Sequence, residues 1–192
     1  MAQELEIEFK TLLHASDYQK IYQHYQFDKQ PYTDQTNIYF DTPDQQLRQQ
    51  RFGLRIRRFR DDQGELTLKC PTKGHGLLEI TDTLSKEQLV NLLQNQTILT
   101  SGAVAEKLLE SKIAIEQLQP IASLRTKRYE LQLPIGLLAL DESWYGKIHD
   151  YELELEVTDE VQGKADFKSL LETFQIPYTP GENKIMRAIS NQ

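Results

Sequence analysis

Apolar and charged residues alternate along several short segments of the chain. In the first, residues 4–10, Leu5, Ile7 and Phe9 share one face, and three glutamates and a lysine share the other. A period of two is typical of a β-strand with two different faces. Turn-forming residues separate neighbouring segments, so the pattern predicts a largely antiparallel sheet. The further predicted strands span 36–41, 52–59, 65–70, 76–83, 122–133, 137–142 and 150–158.

Other segments carry apolar residues at helical spacing. Tyr18, Ile21 and Tyr25 recur in this way over 16–26 and predict an amphipathic helix. Ser85 with Gln88 resembles a capping box ahead of a helix that runs to about residue 95. Further helices are predicted over 103–115 and 164–174. Strands interrupted by helices in this order indicate an α+β fold in which the sheet dominates.

Length, charge and cysteine content limit the classes of protein. The 192 residues fit one domain, 1–192, although two small domains would also fit. The 22 Lys and Arg against 29 Asp and Glu give a net charge of −7, which argues against a nucleic-acid-coating surface. Cys70 is the one cysteine, so no internal disulfide forms. Neither a signal peptide nor a membrane span is evident. We expect a cytoplasmic protein without nucleic-acid or membrane partners.

Several strands alternate apolar residues with charge instead of neutral polar residues. One row of glutamates occupies 152–156, and Arg55 and Arg57 share a face of another strand. Any one such row is typical of a solvated sheet surface. Glutamates at this density repel one another, however, and suit Mg²⁺ or Mn²⁺, which prefer oxygen ligands. Arginine and lysine rows suit phosphate oxygens. Together the rows predict a site for a phosphorylated ligand and a divalent metal.

An ordered set of short motifs resembles the CYTH superfamily, also called the triphosphate tunnel metalloenzymes. Glu6-Ile7-Glu8-Phe9-Lys10 resembles the ExExK signature that opens this family. The resemblance continues in order through nearly the whole chain. The matching segments are Tyr39-Phe40-Asp41-Thr42-Pro43, Leu54-Arg55-Ile56-Arg57, Leu68-Lys69-Cys70-Pro71, Glu79, Thr126-Lys127-Arg128, Leu140-Asp141, the run from Glu152 to Glu156, and Lys184. The family includes class IV adenylyl cyclases, thiamine triphosphatases and inorganic triphosphatases.

The resemblance implies a closed, eight-stranded antiparallel barrel with flanking helices, whose tunnel binds a triphosphate and divalent ions. It also implies roles for individual side chains. The implied metal ligands are Glu6, Glu8, Glu79, Asp141, Glu152, Glu154 and Glu156, with the choice among the last three left open. The implied phosphate ligands are Lys10, Arg55, Arg57, Lys69, Arg128 and Lys184. Glu6, Glu8, Lys10 and Glu154 are the expected catalytic set.

We therefore expect a metal-dependent triphosphatase that acts on tripolyphosphate, a nucleoside triphosphate or thiamine triphosphate, as a monomer or homodimer. A cyclase would need a pocket for base and sugar, which the sequence does not reveal. A module that binds triphosphate without turnover would carry the same charged rows. A purely structural sheet, in contrast, predicts no response to Mg²⁺ and no ordered agreement among the charged strands.

Overall fold

The computed structural model describes residues 2–74 and 76–191, so His75 lies outside it. The strands are β1 (Ala2–Leu13), β2 (Thr33–Asp41), β3 (Gly53–Phe59), β4 (Gly64–Pro71), β5 (Leu77–Leu84), β6 (Gln119–Leu133), β7 (Gly136–Tyr145) and β8 (Ile148–Val157). The α-helices are α1 (Ala15–His24), α2 (Gln46–Gln49), α3 (Lys86–Asn95), α4 (Ala103–Glu110), α5 (Glu160–Phe174) and α6 (Lys184–Ser190). Short 3₁₀ turns occupy Phe27–Lys29 and Ile115–Gln117.

The strands form a closed barrel in the order β1-β5-β4-β3-β2-β6-β7-β8, and every neighbouring pair is antiparallel. Closure gives each of the eight strands two neighbours. It depends on β1, which pairs with β8 along one part of its length and with β5 along the other. The predicted β-dominated α+β fold with a closed eight-stranded antiparallel barrel is confirmed.

The barrel is apolar outside and charged inside. On β3, Leu54 and Ile56 are fully buried on the outer face, whereas Arg55 and Arg57 line the interior. Helices α2, α3 and α4 cover β3, β4 and β5 with one apolar cluster, and α1 and α5 cover β1, β7 and β8 with another. The barrel thus buries its apolar surface beneath helices and keeps its interior free for polar chemistry.

Helix α6 differs from the other helices because it packs against the inward face of the barrel. Ala188 and Ile189 contact Tyr39, Leu124 and Tyr145, and Tyr39 itself lines the interior. Asn183 caps the helix through its side chain, which accepts a hydrogen bond from the Met186 N–H. This arrangement brings Lys184, the first residue of α6, to the tunnel. None of the helices in the described part of the chain is long and apolar enough to cross a membrane.

Some boundaries differ from the sequence prediction. Helix α4 ends at Glu110 instead of residue 115 because Lys112 takes a left-handed φ of 59° and the Ile113 N–H bonds back to the Leu108 carbonyl. This is a Schellman ending, and it buries Ile113. Strand β1 continues three residues past Lys10, and helix α2 was not predicted. The four residues of α2 carry too little periodicity to be recognised in sequence.

Asp41 explains how α2 is held at the end of β2. Its buried carboxylate accepts hydrogen bonds from the backbone N–H groups of Thr42 and Leu47 at 2.8 and 2.9 Å, and from that of Arg48 at 3.2 Å. The turn it organises places Arg48 and Arg51 at the mouth of the tunnel. The sequence singled out Asp41 without indicating this role.

We expect Asp41→Ala to lower the free energy of unfolding by about 1–3 kcal/mol, because buried N–H groups would lose their acceptor. Asp44→Ala is the matched control, since Asp44 is exposed and bonds to the side chains of Thr42 and Gln46. Its effect should stay within about 0.5 kcal/mol. Urea denaturation of the two variants measures the difference. Equal effects would contradict this role for Asp41.

A charged tunnel as candidate active site

The barrel encloses a cavity of about 550 Å³, and most of the predicted site residues line it. Those that line it are Glu6, Glu8, Lys10, Arg55, Arg57, Lys69, Glu79, Arg128, Glu154, Glu156 and Lys184. Asp141 and Glu152 are not among the lining residues. They are buried behind the wall, with 0% and 1% of their surface exposed, beneath Lys184. The structure therefore brings these side chains from seven strands and α6 into one region.

The register of the strands sets the spacing of the charges. On the β1–β8 ladder Glu8 lies opposite Glu156, and Lys10 lies opposite Glu154. On the β6–β7 ladder Arg128 lies opposite Asp141. Directly opposite residues on one face have Cβ atoms about 4.5–5.5 Å apart, so these side chains interact. Pairing between the two ends of the chain thus creates contacts that sequence spacing does not reveal.

Lys184 and Arg128 meet the buried carboxylates at the α6 side of the tunnel. The Lys184 ammonium lies 2.9 Å from Asp141 and also contacts both Glu152 and Glu154. Arg128 binds Asp141 through two hydrogen bonds of 2.7 and 2.8 Å and also donates to Glu154. Burial opposes the charge of Lys184, yet its three carboxylate neighbours raise its pKa well above the ordinary value. Lys184 is therefore protonated at neutral pH.

The pKa values of Glu152 and Glu154 in this cluster are shifted in opposite directions. Burial acts to raise the pKa of Glu154, but Lys184 and Arg128 outweigh it and hold that pKa well below its usual range. Burial raises the pKa of Glu152 to about 7, despite Lys184. Oxygens of Asp141, Glu152 and Glu154 lie within 4.8 Å of one another and could hold a metal ion. Because Lys184 and Arg128 already neutralise this cluster, a metal at this position would have to displace Lys184.

A second set of ion pairs lies on β1, β3, β4 and β5. Lys69 bridges Glu6 and Glu79, at 3.1 Å from the latter, and Arg55 approaches Glu79 at 4.0 Å. Lys10 contacts Glu8 at 2.6 Å. Burial acts to lower the pKa of Lys10, but Glu8 and Glu154 outweigh it and raise that pKa. The amine of Lys10 therefore keeps its proton.

Glu156 is the exception among the tunnel carboxylates. Within residues 2–74 and 76–191 its side chain makes no hydrogen bond or ion pair, although it lines the cavity opposite Glu8. Burial raises the pKa of Glu156, and the charge of Glu6 adds to the effect. Like charges placed opposite each other on a ladder are destabilising. Carboxylate oxygens with uncompensated negative charge are a fitting environment for a hard divalent cation.

The structure adds residues that the sequence analysis missed. Arg57 donates to Asn37 at 3.2 Å and pairs with Glu65 at 2.9 Å. Burial, with the nearby charge of Arg55, lowers the pKa of Arg57 to about 10. Glu65 shares strand parity with Lys69, so alternation alone could have found it, whereas Asn37 is a neutral residue without such a signal. Arg187 is also buried in this region, and it contacts Glu152.

Cys70 lies outside the tunnel. It belongs to the apolar cluster beneath α3 and α4 and is 4% exposed. Burial raises the pKa of its thiol to about 11, so little thiolate is present at neutral pH. Cys70 therefore serves packing, and the polar chemistry belongs to the charged interior.

Three known proteins are each similar to this chain over nearly its whole length. A protein of Bacillus subtilis (strain 168), named "Putative triphosphatase YjbK", is 38% identical over 187 residues, which are 97% of this chain and 95% of that protein. A Bacillus halodurans crystal structure, named as a "putative adenylate cyclase", is 38% identical with a TM-score of 0.91, over 97% of this chain and 98% of that one. The Hippeastrum protein HpAC1 shares the fold at 23% identity, with a TM-score of 0.80 over 98% of this chain and 96% of that one.

A family model adds the assignment of the chain as a whole. The model described as the CYTH domain matches residues 4–189. This span begins on β1, which carries the Glu6-Ile7-Glu8-Phe9-Lys10 motif, and ends within α6, which carries Lys184. It includes each strand of the barrel and each tunnel residue described above. The chain belongs to the CYTH domain family.

Proposed function

We propose that this protein is a divalent-metal-dependent triphosphatase that hydrolyses tripolyphosphate, a nucleoside triphosphate or thiamine triphosphate within its tunnel, as a single domain. The observation that carries the proposal is a pairing of opposite charges around one cavity, in which every proposed phosphate ligand has a carboxylate partner. The pairs are Lys10 with Glu8, Arg55 with Glu79, Arg57 with Glu65, Lys69 with Glu6, Arg128 with Asp141, and Lys184 with Glu152. The triphosphatase name of the B. subtilis relative agrees with it.

The basic residues are the proposed phosphate ligands. Lys10, Arg55, Arg57, Lys69, Arg128 and Lys184 line the cavity from several directions and can surround an extended polyanion. Guanidinium groups bind phosphate oxygens in pairs, and ammonium groups act as point charges. Because Lys10 keeps its proton, it suits the stabilisation of negative charge on a phosphate better than the removal of a proton from water.

Glu8 and Glu156, with Glu6 beside them, are the proposed primary metal ligands, because Glu156 lacks an ion-pair partner among the described residues. When bound, Mg²⁺ or Mn²⁺ supplies polarisation of a phosphate oxygen and a water of lowered pKa. Glu154 holds Arg128 and Lys184 in place next to this group. Glu79, Asp141 and Glu152 remain candidates for a second position, which requires release of their lysine partners.

A second candidate function is adenylyl cyclisation or another reaction of an organic triphosphate, and one structural feature favours it. Part of the cavity wall is apolar and would suit an organic group attached to the triphosphate. The apolar residues there are Phe52, Leu77, Ile121, Ile185, Met186 and Ile189. Analysis of the products from ATP separates the reactions, because a cyclase yields pyrophosphate and a cyclic nucleotide, whereas a triphosphatase yields orthophosphate.

The test of the main proposal is orthophosphate release from tripolyphosphate, ATP and thiamine triphosphate with Mg²⁺ or Mn²⁺. Glu8→Gln should lower the rate by about 10²-fold or more, because it removes a proposed metal ligand. Glu4→Gln is the matched control, since Glu4 lies on the same strand but is exposed and does not line the cavity. Tight metal-dependent binding of triphosphate without release would favour a binding module. Equal activity of the two variants would contradict the assignment of Glu8.

We assign the protein to the cytoplasm, where its free and buried Cys70 needs no disulfide partner. Its ligand is a small triphosphate rather than nucleic acid, since the phosphate-binding charge that we propose lies in the interior of an acidic protein. It acts as a monomer or as a homodimer, and each barrel carries its own complete set of tunnel residues.

A further inference from the structure

We propose that Arg187 is a positioning residue for Lys184 and acts on it through the carboxylate they share, that of Glu152. This inference rests on the proposed function, because it takes Lys184 as a phosphate ligand. Arg187 has no role in the motifs that identify the family resemblance. Its contacts in the structure, rather than its sequence position, assign it a part in the site.

The geometry links the two cations through one carboxylate. Lys184 and Arg187 lie three positions apart on α6 and therefore on the same face of the helix. The Lys184 ammonium contacts Oε1 of Glu152, and Nη1 of Arg187 lies 2.8 Å from Oε2 of the same side chain. Each oxygen of Glu152 thus has its own cation, and the position of Glu152 depends on both.

Lys184 and Arg187 differ in their access to the cavity. Lys184 lines the cavity, whereas Arg187 does not line it and is 6% exposed. Arg187 also lies 3.5 Å from Asp150, whose carboxylate accepts a hydrogen bond from the Tyr145 hydroxyl. Arg187 does not line the tunnel, and Glu152 is the carboxylate that both it and Lys184 contact, so the proposed influence on binding passes through Glu152.

The cost of burying Arg187 argues for a role beyond stability. None of its guanidinium nitrogens makes a hydrogen bond of regular geometry within the described residues, because the N–H groups are poorly aligned with the nearby carboxylates. Burial of a charge opposes folding, and an apolar side chain of similar size often serves stability as well or better. The position of this cation is explained if it restrains Glu152.

The restraint determines where the wall holds Lys184. While Arg187 binds one oxygen of Glu152, the other oxygen holds the Lys184 ammonium beside Asp141 and Glu154. If the guanidinium is removed, Glu152 loses the partner that fixes its orientation and can turn within the wall. The Lys184 ammonium would then shift with Glu152, away from the position at which it meets a phosphate. The expected consequence is weaker triphosphate binding with little change at the Glu8–Glu156 wall.

Calorimetric titration with a non-hydrolysable imido analogue of tripolyphosphate, at saturating Mg²⁺, tests this expectation. Arg187→Gln should raise the Kd by about tenfold or more, and Arg187→Lys should recover most of the affinity, because the positive charge returns. Ala188→Gly is the structural control, since Ala188 is buried on α6 and does not line the cavity, and the change to glycine weakens the helix. Its Kd should stay at the wild-type value.

Equal Kd values for Arg187→Gln and Ala188→Gly would overturn the proposal, as would failure of Arg187→Lys to rescue. A ligand-free measurement keeps the test separate from the proposed function. The effects of Arg187→Gln and Lys184→Met on unfolding should be non-additive, because both act on Glu152. Additive effects would overturn the positioning role. If the wild type binds no triphosphate but the coupling persists, the proposed function fails and the structural link between Arg187 and Lys184 stands.

Discussion

Lys184→Met is expected to lower kcat/KM for tripolyphosphate by about 10²- to 10³-fold, because it removes a positive charge that is held largely buried in the tunnel wall. The same change should lower the free energy of unfolding by about 3–5 kcal/mol at neutral pH, since buried carboxylates lose a partner. Lys168→Met is the matched control. Lys168 is exposed on α5 and pairs with Glu172, so its loss should matter little to activity or stability.

The stability loss of Lys184→Met should depend on pH in a defined direction. In the native protein the pKa values of Asp141 and Glu154 lie below their usual range, so their stabilising contribution is present above about pH 4 and fades on further acidification. Without Lys184 the pKa values of these buried carboxylates rise. Their ionised forms then destabilise the folded state, and this effect grows as the pH rises. The difference between variant and wild type should therefore shrink in acid. A constant difference from pH 3 to 8 in urea denaturation would contradict the proposed charge balance.

The second large effect is an expected increase in the affinity for triphosphate when metal is bound, and in the affinity for metal when triphosphate is bound. Each proposed phosphate ligand is already paired with a tunnel carboxylate, so triphosphate alone would have to break these pairs and then face the carboxylates. A metal alone would likewise face lysines and arginines. When both bind, phosphate takes the cations and metal takes the carboxylates. Each ligand should therefore raise the affinity for the other by the same factor, about 100-fold.

Titration of the imido analogue of tripolyphosphate with and without Mg²⁺ measures this coupling, after correction for association of Mg²⁺ with the analogue in buffer. The reciprocal titration, of Mg²⁺ with and without the analogue, must give the same factor. Arg57→Ala should reduce the coupling, whereas Arg58→Ala should not, because Arg58 is exposed on the same strand and pairs with Asp62. Analogue affinity that is independent of Mg²⁺ would contradict the exchange of partners.

Strand alternation predicted much of the site because a period of two fixes which side chains share a face. The rows of β1, β3 and β8 therefore predicted a site for a phosphorylated ligand and a divalent metal. The family resemblance added the closure of the barrel. Glu8 and Lys10 were identified in this way before any contact was known.

The sequence did not reveal the contacts made by closure of the barrel and by docking of α6. The pairing of β1 with β8 sets Glu8 opposite Glu156 and leaves Glu156 without an ion pair among the described residues. The docking of α6 covers Asp141 and Glu152 and so removes them from the cavity surface. Arg187 looks like any helical arginine until its buried position is known. Such features depend on long-range packing, which local periodicity does not encode.

The central claim is that the tunnel hydrolyses a triphosphate with the help of a divalent metal. ³¹P NMR of tripolyphosphate incubated with the wild-type protein tests it most directly, because the reaction consumes water and yields one pyrophosphate and one orthophosphate. We predict that both products appear together with Mg²⁺ or Mn²⁺ and that EDTA stops their formation. Tripolyphosphate that stays intact with either metal, or that is hydrolysed equally well in EDTA, would contradict the account.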